Sequence, residues 1–336
     1  MADIIISEAS GLNDPWFGKW QAPIASYLRK EAEAMEQMSV ARKLFRKRNS
    51  THWAESYGSA VGMQNFKPGP ENADYPVTGM RHGRMKTIPN VTWKNSFGIS
   101  WEMIMDADLI KIQGQPQEFM TAWERTQEEF FAEMLASAME GKTEMTIDGM
   151  AFDITGADNM AVFSTGHKAL VTGEEQPNAF EDEFSLDALN KMSTAMQNTH
   201  GENGELLAMW PDTIVIPNDE ALKNEIISVI GSEKKPGGAN NDINPQYGNW
   251  NLIIWPYLNR FLPRGAKPWM LMDSKYVETH DCMIWQQRHP LEVRSEIQGN
   301  DANVWKGKAR FGGGFANWRG MMAGGISGGA ALVDVV

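Results

Sequence analysis

His167 and Ser164 set a base and a nucleophile three positions apart, the pairing from which a hydrolase could be built. Such a site needs a strand-elbow-helix turn to expose the serine and a third group to orient the imidazole, and the surrounding residues supply neither. Asp106 and Asp108 could share a cation, but no histidine lies near, and a turn leading into a helix suits them better. Arg42, Lys43, Arg46, Lys47 and Arg48 could touch DNA or a scaffold protein, or form the solvated end of a helix. The glycines after Phe311 lack both a Walker Lys-Ser ending and a strand-to-helix GxGxxG, so no phosphate cradle is expected and the C-terminus reads as flexible. The enzyme reading that survives is a cytosolic α+β hydrolase with its site around His167, Asp212 or the 240–245 turn. No cofactor and no metal are expected.

Composition narrows the classes further. The chain has 336 residues and a formal charge of −12, which argues against a general nucleic-acid binder, since such affinity comes largely from phosphate neutralisation. Apolar residues make up 42% and charged ones 22%, as in folded proteins, while 22 Met and 13 Trp suggest either a rich core or extensive contact surface. The single cysteine, Cys282, excludes internal disulfides and Cys-based zinc, and implies a reducing compartment. No signal peptide and no apolar run long enough to cross a membrane is present, so a cytosolic origin is expected.

The elements that would carry these residues centre on one long helix. From Pro116 to Gly141, Phe119, Trp123, Phe130 and Met134 recur at helical steps, with Glu118, Thr121, Arg125, Glu128 and Glu129 on the opposite, wet face. Pro116 suits a first turn and Gly141 a left-handed end. Before it, residues 1–22 hold aromatics without a period, and a helix is expected from Pro23 to about Arg48. Residues 56–89 are rich in Gly, Pro, Asn and Asp and cannot build a core, though Ser59–Met63, Val91–Trp93 and Phe97–Met105 look like strands around them.

After the helix, Asp148-Gly149 between alternating runs predicts a hairpin. A second unit begins near Phe184. Ser185 caps a helix to about Asn198, Pro211–Pro217 is a buried strand, and Asn218 or Asp219 caps a helix from Ala221 to Ile230. Strands at Trp250–Trp255, Trp269–Met272 and Met283–Gln286 complete a single sheet in this reading. Two half-exposed strands follow, Leu291–Ile297 and Trp305–Phe311, which would bring acidic and basic faces side by side.

The order and spacing of several stretches resemble the major capsid proteins of tailed bacteriophages, with the HK97-type fold, and more narrowly the Mu-like major head subunit group. They are Phe97-Gly-Ile-Ser-Trp-Glu-Met-Ile-Met-Asp-Ala-Asp-Leu, Val162-Phe-Ser-Thr-Gly-His, Trp210-Pro-Asp-Thr-Ile-Val-Ile-Pro, Trp250-Asn-Leu-Ile-Ile-Trp-Pro-Tyr-Leu, Trp269-Met-Leu-Met-Asp and Lys308-Ala-Arg-Phe-Gly-Gly-Gly-Phe-Ala-Asn-Trp-Arg-Gly. The resemblance runs from about residue 95 to 322, and departs where Lys168 replaces the usual glycine after His167. It implies an α+β HK97-like capsid fold with a long spine helix, an extended E-loop, a peripheral domain and an axial domain. On this sequence the N-terminal arm would be 1–55, the E-loop 56–96, the peripheral domain 97–183 and 291–336, and the axial domain 184–290.

The same resemblance implies a head protein that assembles with itself into pentamers and hexamers of an icosahedral shell around double-stranded DNA. The expected location is the virion, with assembly in the host cytoplasm. A separate scaffolding protein, a portal and a decoration protein are the other partners it brings, while DNA would be held only weakly and no membrane is involved. Trp16, Phe17 and Trp20 are expected to pack on neighbouring subunits. So are Arg81, Arg84 and Lys86 of the loop, against Glu128 and Glu129 on a neighbour's spine helix.

Overall fold

A computed structural model describes the chain except residues 1–3, 8–23, 27, 31–37, 62–64, 67, 69, 72–73, 75–80, 107–108, 235–241, 300–301 and 333–336. The strands are β1 Ile4–Ser7, β2 Arg46–Asn49, β3 Ala54–Val61, β4 Arg81–Pro89, β5 Val91–Ile99, β6 Glu144–Ile147, β7 Met150–Asp153, β8 His167–Lys168, β9 Glu175–Gln176, β10 Thr213–Ile216, β11 Asn251–Ile254, β12 Trp269–Met272, β13 Met283–Ile297, β14 Asn303–Phe315 and β15 Met321–Gly324. The chain divides into two compact units, one of residues 1–55, 88–131 and 284–313, the other of 56–87, 132–283 and 314–336.

The first unit is a sheet covered by helix. Its strand order is β1-β13-β14-β5, and β2 runs parallel to β13 at 284–287 while β1 does so at 291–294. β14 pairs antiparallel with β5 from Asn303 opposite Ile99 to Phe311 opposite Val91. Leu291, Val293, Trp305 and Ala309 on the inner face pack with Ile99, Ile112, Phe119, Met120, Ile24 and Leu28. Burying each such aliphatic or aromatic side chain is worth roughly 1.5–3 kcal/mol. A cluster of rings continues this core, with Phe131 stacked on Trp285 at 4.4 Å and Trp93 on Phe311 at 4.9 Å.

The long helix runs from Leu109 to Met139, 31 residues or about 46 Å. It starts seven residues before the expected Pro116, which lies inside it. The proline forfeits one backbone hydrogen bond, and two added turns that bury Ile112 in the core offset that loss. At the other end Gly141 takes φ +71, Gly141 N–H donates to Ala138 and Lys142 N–H to Ser137, which closes the last carbonyls.

Other expectations in this unit change with tertiary pairing. Residues 24–26 and 28–30 are helical, but Arg46–Arg48 belong to β2 and not to the end of a helix, because β13 offers its edge there. Trp101–Met105 is a short helix in place of the expected strand, since the Ser100 hydroxyl accepts from Met103 N–H and caps it.

The second unit holds a four-stranded sheet of order β11-β10-β12-β15, parallel between β10 and β11 and antiparallel elsewhere. The helix Leu186–Gln197 is capped by Ser185, and the helix Glu220–Ile230 by Asp219. Their apolar faces, Leu189, Met192, Met196, Leu222 and Ile226, bury against Ile214, Ile216, Trp269 and Leu271. β6 and β7 form the expected hairpin, with Asp148 at φ 48 and Gly149 at φ 80.

Two corrections concern the sheet. Met283–Gln286 does not join it but opens the fifteen-residue β13 of the other unit. Its place is taken by β15, from the glycine-rich end that the sequence reads as flexible. That end is buried and ordered because its glycines let backbone lie under aromatic rings. A Cβ on Gly324 would overlap the Trp269 indole.

Candidate intersubunit surface

His167 is fully buried between Trp318, stacked at 4.3 Å, and two acceptors, with Nδ1 2.6 Å from Asp158 Oδ2 and Nε2 3.1 Å from the Val162 carbonyl. Ser164 makes other bonds: its N–H donates to Asn178 and its hydroxyl accepts from Gly166. Both imidazole nitrogens are engaged and neither reaches the serine, so the pair fastens the 158–167 loop and activates no nucleophile. Burial, the largest single influence, would raise the Asp158 carboxyl, but the hydrogen bonds from His167 and Met160 N–H and the positive charge around it together hold it below the usual range.

The other candidates are equally structural. Asp212 accepts from Ser274 and Thr213, Asn244 ties its loop to Val229 and Ser232, and Asp106 caps Trp101–Met105 while Asp108 lies outside the described residues. Burial pushes the Cys282 thiol up, and its Sγ donates to the Arg319 carbonyl. Among the described residues no cluster of His, Cys, Asp or Glu could hold a metal, and no helix is long and apolar enough to cross a membrane.

The charged residues expected at neighbour contacts divide into two groups. Lys86 is only 4% exposed, and its Nζ reaches Asp153 at 2.6 Å and Thr155 at 2.8 Å, which pins β4 to the β6–β7 hairpin. Glu128 is also 4% exposed. It accepts from the Ser39 hydroxyl and from Ala41 N–H at 3.1 Å. The expectation of two solvent-facing charges is therefore corrected, because each finds a partner distant in sequence that repays its desolvation.

Arg84 is half-buried and donates to the Lys168 carbonyl at 2.8 Å, and Glu129 is half-buried on the long helix. Arg81 lies on β4. Trp16, Phe17 and Trp20 fall outside the described residues.

Several exposed apolar side chains went unnoticed in sequence. Trp53, Phe66, Met85, Trp101, Trp210 and Ile243 all face solvent, Phe66 at 105% and Ile243 at 84%. Met85 points outward along the alternation of β4, and each of the others stands in a short segment with no period to betray its direction. Their usable signal is type alone, since aromatics and Met are enriched where proteins touch one another. The outward β13–β14 faces are charged as expected, with Lys306 paired to Glu296.

Comparison with known proteins adds the following. A family model described as phage capsid protein matches residues 86–323. A solved structure titled Mycobacterium phage Patience matches at TM-score 0.50 with 14% identity, covering 98% of this chain and 94% of that one. The acidic stable capsid structure of Helicobacter pylori bacteriophage KHP30 matches at TM-score 0.46 and 9% identity, over 85% of this chain and 88% of that chain. The capsid of Ralstonia phage GP4 matches at 0.46 and 11% identity, over 84% and 86%. No curated protein matches.

Proposed function

The chain belongs to the phage capsid protein family and has the HK97-like fold, and from that premise we propose how it builds a shell. It is a major capsid protein, a structural component of the virion and not an enzyme. We infer that copies associate as pentamers and hexamers of an icosahedral head around double-stranded DNA, assembled in the host cytoplasm. The observation that carries this is the family match, which spans residues 86–323. Exposed Trp53, Phe66, Trp210 and Ile243 support it, because large apolar side chains left in solvent gain most from a partner. The net charge of −12 suits a lining that does not grip DNA.

Within the subunit we assign the arm to 1–55, the E-loop to 56–96, the peripheral domain to 97–183 and 291–336, and the axial domain to 184–290. Supporting the axial assignment is the four-stranded sheet with its two capped helices; β15 at 321–324 shares that sheet and is an exception to the peripheral return. The Mu-like major head group is the narrower kinship we propose, on the order of its sequence stretches.

For contacts, we keep Trp16, Phe17 and Trp20 of the arm, and Arg81 and Arg84 against Glu129 of a neighbour. Lys86 and Glu128 leave that set because their partners are internal. A separate scaffolding protein, a portal and a decoration protein are the further partners.

Electron microscopy and sedimentation of the purified chain test the reading. Capsomers or shells that appear with rising concentration are expected, and a monomer at every concentration would sink it. Replacing Trp16, Phe17 and Trp20 together by Ala, which leaves β1 in its sheet, is expected to block shells while leaving the subunit's melting temperature nearly unchanged.

A further inference from the structure

The five-stranded sheet packs one face on the long helix, and on the other face the β14 and β5 strip is basic, beside a β13 row of Glu292, Arg294 and Glu296 whose charges pair with one another and with Lys306. Along β14, exposed Lys306 and Lys308 and half-buried Arg310 alternate with buried Trp305, Ala309 and Phe311, so they leave the sheet on one side at a pitch of about 6.8 Å. The antiparallel register sets Lys94 of β5 directly opposite Lys308 and Thr92 opposite Arg310. Like charges directly opposite each other destabilise a strand pair. Lys306 has Glu296, but Lys94, Lys308 and Arg310 have no ion-pair partner among the described residues. Arg310 also keeps a buried Nε without an acceptor. This local repulsion sits on a chain that is acidic overall, so an acidic surface of fixed shape would relieve it.

The segment 180–184 of the second unit has that shape. Phe180 and Phe184 are buried anchors, and Phe180 N–H donates to Ala323 while its carbonyl accepts from Ile326. Asp182 is turned inward, its carboxylate accepting from Leu332 N–H and its carbonyl from Trp269 Nε1. Glu181 and Glu183 are left exposed on a braced backbone, with no ion-pair partner among the described residues. Two residues of extended chain span at most roughly 7 Å, the pitch of the basic row.

We propose that the Glu181–Glu183 ridge of one copy docks on the Lys94, Lys308 and Arg310 face of the next. The contact joins two different patches, so it can repeat from copy to copy around a closed ring. It rests on the shell-forming reading above. Packaged DNA is the other acidic occupant such a face could take; the net charge of −12, which repels DNA from the chain as a whole, favours the second copy.

The test compares shell yield at low salt, where such attraction is least screened. Lys94→Glu with Lys308→Glu is expected to lower yield about tenfold with an unchanged melting temperature, as is Glu181→Lys with Glu183→Lys, and all four in one chain should restore it. Should a charge reversal unfold the sheet, Lys94→Gln with Lys308→Gln removes the like-charge pair and should still lower yield and flatten its salt dependence. Wild-type yield from both Lys94/Lys308 variants would overturn the proposal, and so would failure of the four-fold chain to recover. Normal shells with reduced DNA content would also overturn it, in favour of DNA as the occupant. Wild-type protein assayed alongside separates the two levels, because a wild type that forms no shells removes the assembly reading itself.

Discussion

Residues 56–89 and 307–325 are both rich in glycine, yet the later stretch is buried strand while the earlier one carries β3 and β4 with Phe66 and Met85 facing solvent. In the later stretch the missing Cβ atoms are occupied space. At Gly313 a Cβ would overlap the Phe131 ring and come within 3.1 Å of the Ile284 carbonyl. In the earlier one Gly58 meets only ordinary contacts, the nearest 3.5 Å away at Met85. Glycine thus serves close approach where aromatic rings arrive from elsewhere in the chain, and serves as plain connection where none do. The first kind of segment should be intolerant of substitution, and the second tolerant in the isolated subunit.

The largest expected effect tests the buried stretch. Arg319 donates to Glu202 at 2.9 Å and to the His200 carbonyl at 3.1 Å, and both charged side chains are nearly buried. Arg319→Ala leaves the Glu202 carboxylate with only the Leu170 N–H and no counter-charge, and should cost about 3–5 kcal/mol in denaturant unfolding. A loss under about 1 kcal/mol would mean that this end is not part of the core. Next comes Gly313→Ala, where overpacking against Phe131 should cost about 1–3 kcal/mol. A neutral result there would erase the distinction between the two glycine-rich stretches.

A smaller effect concerns how the exposed stretch is fastened. Burial would raise the Asp153 carboxyl, but hydrogen bonds from Lys86 and Thr155 and the Lys86 charge hold it below its ordinary value. The sign follows from linkage: a depressed carboxyl stabilises the fold above its unfolded pKa of about 4, and that contribution disappears as pH falls through the lower native value. Thermal melts from pH 6 down to pH 2.5 should therefore show an acid loss that is shallower in Lys86→Met than in the wild type. Parallel curves for the two proteins would break the assignment.

The smallest expected effect is that of Phe66→Ser. It should change subunit stability by under about 0.5 kcal/mol, since the ring touches little of its own chain. Shell yield, by contrast, should fall. A subunit loss of 2 kcal/mol or more would place this stretch in the same class as the buried one.

Features with causes inside a few residues were open to reading from sequence. The hairpin at Asp148-Gly149, the caps Ser185 and Asp219, the helix end at Gly141 and the β13–β14 alternation each depend on local dihedrals, a side chain reaching three residues along, or a period of two. So was the capsid family, through the order of its stretches. The burial of Lys86 and Glu128 was not readable, because their partners Thr155 and Ala41 stand 69 and 87 residues away.

The same holds for the reach of β13 back to Met283, the entry of β15 into the four-stranded sheet, and the start of the long helix ahead of Pro116. Periodicity reports which side of an element is apolar. Whether a charge is desolvated, or a glycine is filled over by a ring, depends on what the folded chain brings beside it, and for these positions only the tertiary structure decided.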